Sequence, residues 1–186
     1  MSRYQRNSEA IVLKRINVGD KDRVYTFLTP DRGRVSAIAK GVRKITSKRS
    51  GNLDTLNHVV VSFSESAAGH KAVAEVKLIN SFKNVKSSLD RSQVGYYFAE
   101  LVNKSVNEDS EVPEVFELLR QYLGLLDNED SNIRFIMNKF EVLLMKALGY
   151  EISLERLRGF GKEYMNERIK GYIQDTLDEK FKSLEI

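Results

Sequence analysis

A search for catalytic chemistry in this chain starts at its two histidines, His58 and His70, because imidazole is the side chain whose charge changes nearest neutral pH. Neither has a Ser, Cys or carboxylate at a spacing that marks a nucleophile–base pair or a metal site, so His58 reads as a strand-surface residue and His70 as a turn residue. Asp20 and Asp22 have the ligand chemistry for Mg²⁺, but they alternate with Lys21 and Arg23, whose charge opposes a cation there. The one dense glycine pair, Gly159-Phe160-Gly161, follows no strand and opens no phosphate-binding helix, and there is no Gly-x-x-x-x-Gly-Lys-Ser/Thr run. The chain has no cysteine, which removes thiolate nucleophiles, disulfides and Cys-based zinc or iron–sulfur sites together. We therefore expect no catalytic residue, no metal and no cofactor.

What the sequence supplies in quantity is positive charge, unevenly placed. The net charge of +4 divides into +10 over residues 1–86, where 17 Lys and Arg face 7 Asp and Glu, and −6 over residues 87–186. A domain-sized segment this basic raises the local concentration of polyanions and points to nucleic acid, the bland alternative being solubility. The densest stretch is Lys40-Gly41-Val42-Arg43-Lys44-Ile45-Thr46-Ser47-Lys48-Arg49-Ser50-Gly51, with five cations, two glycines and three hydroxyls. It reads as a flexible loop able to follow a phosphate backbone, or else as a solvated loop without a partner. The expected phosphate contacts are Lys14, Arg15, Lys21, Arg23, Arg34, Lys40, Arg43, Lys44, Lys48 and Arg49, giving salt-sensitive binding with little sequence preference. Tyr25, Phe27 and Phe63 are candidate platforms for unpaired bases, and Tyr25 leads because it alternates with Arg23 on the expected outer face; packing inside a barrel is the competing reading.

These residues need a scaffold, and the pattern up to residue 82 is that of strands. Runs rich in Val, Ile, Thr and aromatics occur at Glu9–Ile16, Arg23–Thr29, Arg34–Lys40, Leu56–Ser64 and Ala72–Phe82. Between them lie turn sequences such as Val18-Gly19-Asp20-Lys21, Pro30-Asp31-Arg32-Gly33 and Ser66-Ala67-Ala68-Gly69. Five short strands in about 80 residues suit a small OB-type Greek-key barrel, with a five-stranded sandwich as the alternative.

The hydrophobic period then changes from two to 3.6. Helices are predicted over Ser88–Val106, after Pro113, along the apolar stripe that runs from Ile133 to Leu148, and near Glu163–Leu177. The fold class is thus α+β, with a barrel over 1–83 and a helical domain over 84–186. No apolar stretch has the length of a membrane span or follows the N-terminal basic residues as in a secretory signal, so a cytoplasmic location is expected, with no membrane partner.

Three ordered segments resemble the N-terminal domain of the bacterial RecO recombination mediators. They are Ala10-Ile11-Val12-Leu13-Lys14-Arg15, then Gly19-Asp20-Lys21-Asp22-Arg23-Val24-Tyr25-Thr26-Phe27-Leu28-Thr29, then Gly33-Arg34-Val35-Ser36-Ala37-Ile38-Ala39-Lys40-Gly41-Val42-Arg43-Lys44. Leu53-Asp54-Thr55-Leu56, Val76–Phe82 and Leu148-Gly149-Tyr150 extend the resemblance over most of residues 9–150, and Arg168–Leu184 follows it more loosely. The resemblance implies an OB-type barrel, a helical domain and a non-enzymatic role in the RecF pathway of recombinational DNA repair. It implies binding of single- and double-stranded DNA, annealing of complementary strands, and work with a RecR-like protein to help RecA displace single-stranded-DNA-binding protein in the bacterial nucleoid. It also implies that the helical domain receives the acidic tail of that binding protein, for which Arg134, Lys139 and Lys146 are the candidate cations. Many relatives follow the Leu-Gly-Tyr turn with a four-cysteine zinc module; this chain has no cysteine there, and the piece it lacks falls between Leu157 and Glu163. A non-enzymatic adaptor acting through its helical half, or an RNA-binding OB protein, is the alternative function.

Overall fold

The computed structural model describes residues 3–44, 47, 49–150 and 171. Five strands come first: β1 (Arg3–Val18), β2 (Asp22–Thr29), β3 (Gly33–Ala39), β4 (His58–Glu65) and β5 (Lys71–Asn80). They close into a barrel in the order β1-β2-β3-β5-β4, which is the OB-type Greek key and not a sandwich. All neighbours are antiparallel except β3 and β5, which meet in parallel at Ile38 and Ala72. β1 is long because it serves two partners: β4 along its first part as far as Ile11, and β2 from Ile11 to Val18. A register shift between Val12 and Lys14 bends it from one to the other.

The barrel interior is filled by Ala10, Val12, Tyr25, Phe27, Val35, Ala37, Val59, Val61, Phe63 and Val73. Here the structure corrects the expectation for Tyr25. Its ring is fully buried, tilted against Phe27 at 6.0 Å, and Phe27 meets Phe63 edge-on at 5.4 Å, so none of the three is a stacking platform. The alternation along β2 was real, but both of its rows are apolar, since the helical part covers Leu28 on the outer row. Arg23 shares the inward row and still reaches solvent because it stands at the start of the strand, where the barrel opens.

The segment after β3 also differs from a free loop. Val42 and Leu53 are fully buried in the barrel core, and Asn57 Nδ2 donates to the carbonyls of Gly51 and Asn52 at 3.0 and 2.9 Å. Two apolar side chains thus seat a segment on which Lys40, Arg43 and Lys44 are exposed.

Four helices with described bounds follow: α1 (Lys83–Ser87), α2 (Leu89–Ser105), α3 (Pro113–Asp127) and α4 (Ile133–Ala147). The three longer ones match the 3.6-residue pattern; α1 is a single short turn whose only buried residue is Val85, too little for periodicity to reveal. The predicted helix near Glu163–Leu177 lies outside the described residues, except that Gly171 is helical. Asn132 caps α4, its side chain accepting from the Phe135 amide at 3.0 Å, and Pro113 occupies the first turn of α3. Phe98 of α2 stacks on Phe140 of α4 at 3.9 Å. Buried Arg91 donates to the carbonyls of Leu126, Asn128 and Glu129 and to Ser131 Oγ, fixing the connection between α3 and α4. Among the described residues no helix is long and apolar enough to cross a membrane.

The helices pack on the barrel's outer surface through Ile11, Leu13, Leu28 and Leu56. At Gly33 the barrel meets the α2–α3 connection: the backbone pairs with Glu108 and the Arg34 amide donates to Asn107 O at 3.1 Å.

Candidate nucleic-acid interface

The antiparallel register brings the end of β1, the start of β2, the end of β3, the end of β4 and the start of β5 to one end of the barrel. The β2–β3 turn lies at the opposite end, where the Val112 amide reaches Pro30 O at 2.9 Å and the helical part is attached. Of the residues expected to contact phosphate, Lys21, Arg23, Lys40, Arg43 and Lys44 gather at the end away from the described helices. Lys21, Lys40, Arg43 and Lys44 are exposed, and Arg23 is half-buried with its Nε donating to Asn17 Oδ1 at 2.8 Å.

Backbone bonds hold this group together. The Arg43 amide donates to Lys21 O at 3.0 Å, and its guanidinium donates to Gly19 O at 2.7 Å. The Gly41 amide donates to Asp22 Oδ1 at 2.7 Å, so Asp22 latches two loops and needs no metal to explain it. Arg49 spans the barrel end, donating to Val73 O at 3.1 Å and Lys40 O at 2.9 Å. A groove of about 430 Å³ opens between Lys40 and the β4–β5 turn, lined also by His70 and Lys71. Lys71 was missed from sequence, although it flanks a turn as Lys21 does. Its Nζ lies 3.7 Å from Asp109, and neighbouring Glu108 accepts from Ser36 Oγ at 3.4 Å, which lays an acidic pair along the β3 flank of this end.

The other expected contacts lie elsewhere. Arg15 is ion-paired to Asp54 at 2.6 Å, and Asp54 also holds Lys86 at 3.5 Å. Burial pulls the Lys86 ammonium below its usual range, an effect that Asp54 opposes. Lys14 points outward from β1 toward α2. Arg34 departs most from expectation: its guanidinium donates to Asn103 O of α2 at 2.6 Å, so it joins the barrel to the helices. Lys48 lies outside the described residues.

His58 is also corrected. It stands on the barrel's outer surface, as a strand position predicts, yet α3 covers it: the ring is 6% exposed and meets Phe116 edge-on at 5.9 Å. Burial lowers its pKa below 6.5, and the Glu9 carboxylate, 3.7 Å away and beyond hydrogen-bond reach, does not reverse this. His70 is exposed in its turn, as predicted. On α4, Arg134, Lys139 and Lys146 are all exposed, and Lys139 Nζ sits 5.7 Å from the ring centroid of Phe135, itself 63% exposed.

Comparison with known proteins gives two family matches, "Recombination protein O N terminal" over residues 1–82 and "Recombination protein O C terminal" over residues 86–162. Curated relatives named "DNA repair protein RecO" include one from Dehalococcoides mccartyi, 35% identical over 79% of this chain and 57% of its own length. Another from Roseiflexus is 32% identical over 79% of this chain and 51% of its own, and one from Rhodopirellula baltica is 29% identical over 79% and 54%. The chain thus spans little more than half the length of these relatives.

Proposed function

The chain belongs to the RecO family of DNA repair proteins, and from that premise we propose that it holds single- and double-stranded DNA on the cationic end of its barrel and anneals complementary strands. The observation that carries this reading is the convergence of Lys21, Arg23, Lys40, Arg43 and Lys44 at the barrel end that none of the described helices covers. Annealing requires two polyanions to approach, and screening by fixed cations serves that step without any bond chemistry. The protein is accordingly a mediator and not an enzyme, acting on DNA in the bacterial cytoplasm. It works with a RecR-like protein to help load RecA onto DNA coated by single-stranded-DNA-binding protein. The acidic tail of that binding protein is received on α4, where Arg134, Lys139 and Lys146 are exposed and Lys139 sits by the exposed ring of Phe135. The barrel, over 1–83, and the helical part, over 84–186, divide these tasks.

The test is DNA affinity measured against salt, together with annealing of bare and protein-coated oligonucleotides. Five engaged cations predict a slope of log K against log salt near −4.5 on duplex, at about −0.9 per phosphate. A flat salt response, with no annealing at low ionic strength, would overturn the proposal.

A further inference from the structure

Single-strand binders of the OB type pair a cationic track with aromatic rings for the bases, yet Tyr25, Phe27 and Phe63, the aromatic strand residues whose side chains are described, all face inward. A ring is supplied from outside it. Tyr96 of α2 is 47% exposed and stands over a groove of about 380 Å³ between α2 and β1, with Leu13 and Ala99 as its apolar lining and Lys14 at its edge. Lys104 and Glu100, 3.3 Å apart, line its far side and leave the groove with a net positive charge alongside Lys14.

The register connects this groove to the cationic end. Lys14 pairs with Thr26, Ile16 with Val24 and Val18 with Asp22, so Lys14, Ile16 and Val18 form one outward row leading to the turn that carries Lys21. Ile16 and Val18 are 50% and 44% exposed, an apolar strip between two cations. Charge at intervals with apolar and aromatic surface between suits a strand whose phosphates and unpaired bases are both available. A duplex keeps its bases stacked on one another and presents none to a ring at this depth.

We propose that Tyr96 stacks on an unpaired base of single-stranded DNA whose backbone runs along the outer face of β1 from Lys21 to Lys14. This rests on the reading of the cationic end as the DNA site, and it adds the element that separates single strands from duplex.

The experiment uses the intact chain and fluorescence anisotropy with a labelled oligo(dT), its RNA counterpart and a duplex of equal length. Tyr96→Ala is expected to weaken oligo(dT) binding about five- to a hundredfold, the range for losing one stacked base, and to leave the duplex unchanged; Tyr96→Trp restores binding. The triple variant Lys21→Gln, Arg43→Gln, Lys44→Gln is expected to weaken both DNA substrates. Single-strand binding by Tyr96→Ala equal to that of the parent, or an equal loss on single strand and duplex, overturns the stacking role and leaves the cationic end standing. A triple variant that binds both like the parent overturns the cationic end itself. An effect of Tyr96→Ala on the RNA strand alone reassigns the groove to RNA and sinks the proposal for DNA.

Discussion

Arg49 donates to the carbonyl of Val73 across the open end of the barrel, 3.1 Å away, although the two residues belong to segments separated by the whole of β4. A side chain that reads in sequence as one more phosphate contact is thus engaged in holding the barrel's end together.

The neighbouring cations divide accordingly. Neutralising Lys21, Arg43 and Lys44 should reduce DNA affinity and flatten the salt slope by about 0.9 per lost contact, with only a small loss of stability because the carbonyl bond removed, from Arg43 to Gly19 O, is exposed to water. Arg49→Gln should instead destabilise the fold by about 1–3 kcal/mol, because two carbonyls lose a charged donor. Denaturant unfolding beside binding titrations separates the two. Equal stability of the Arg49 variant and the parent would show that its bonds are dispensable.

Gly33 lies directly against the connection between α2 and α3. Its φ is +57°, and a Cβ there would lie 2.5 Å from Asn107 O and 2.8 Å from Ser110 O, both of them backbone atoms that have little room to give. Gly33→Ala is expected to cost about 2–4 kcal/mol, combining left-handed strain with overlap. Gly19, with φ +56° but open space around it, is the control, and Gly19→Ala should cost only about 1 kcal/mol. Similar unfolding midpoints for the two variants would remove close approach as the reason for glycine at 33.

His58 makes a pH prediction with a definite sign. Burial depresses its folded-state pKa below 6.5, so between that value and 6.5 the unfolded chain binds more protons than the folded one. Its contribution to stability is complete above 6.5 and is lost as pH falls through the folded pKa. His58→Gln should therefore show a shallower decline in unfolding free energy between pH 7 and 5 than the parent. Parallel curves for the two proteins would exclude His58 as the source.

The barrel and the three longer helices were legible because each follows a simple period and is bounded by Gly, Asp or Pro. Alternation alone could not say which row of β2 faced inward. Val24, Thr26 and Leu28 look as apolar as Tyr25 and Phe27, since a second layer of protein lies over Leu28. The same layer hides His58 beneath α3, a contact between residues 58 positions apart in the chain that no local pattern encodes. Charge singled out the N-terminal half of the molecule, but its division into exposed cations and structural ones, such as Arg34 and Arg49, depends on which carbonyls lie within reach. Tyr96 escaped notice because it sits in a helix otherwise read as core, and only the packing of α2 beside β1 leaves its ring uncovered.

Val42 and Leu53, sunk in the barrel, change what the charged segment between β3 and β4 brings to an encounter. A tethered floppy arm must surrender its conformational freedom each time it closes on a ligand, which subtracts from affinity. Here that ordering happens once, as the polypeptide folds. Under the proposed function a polyanion would meet Arg43 already bonded to Gly19 O, so the speed of capture is expected to follow long-range attraction and not rearrangement of the surface.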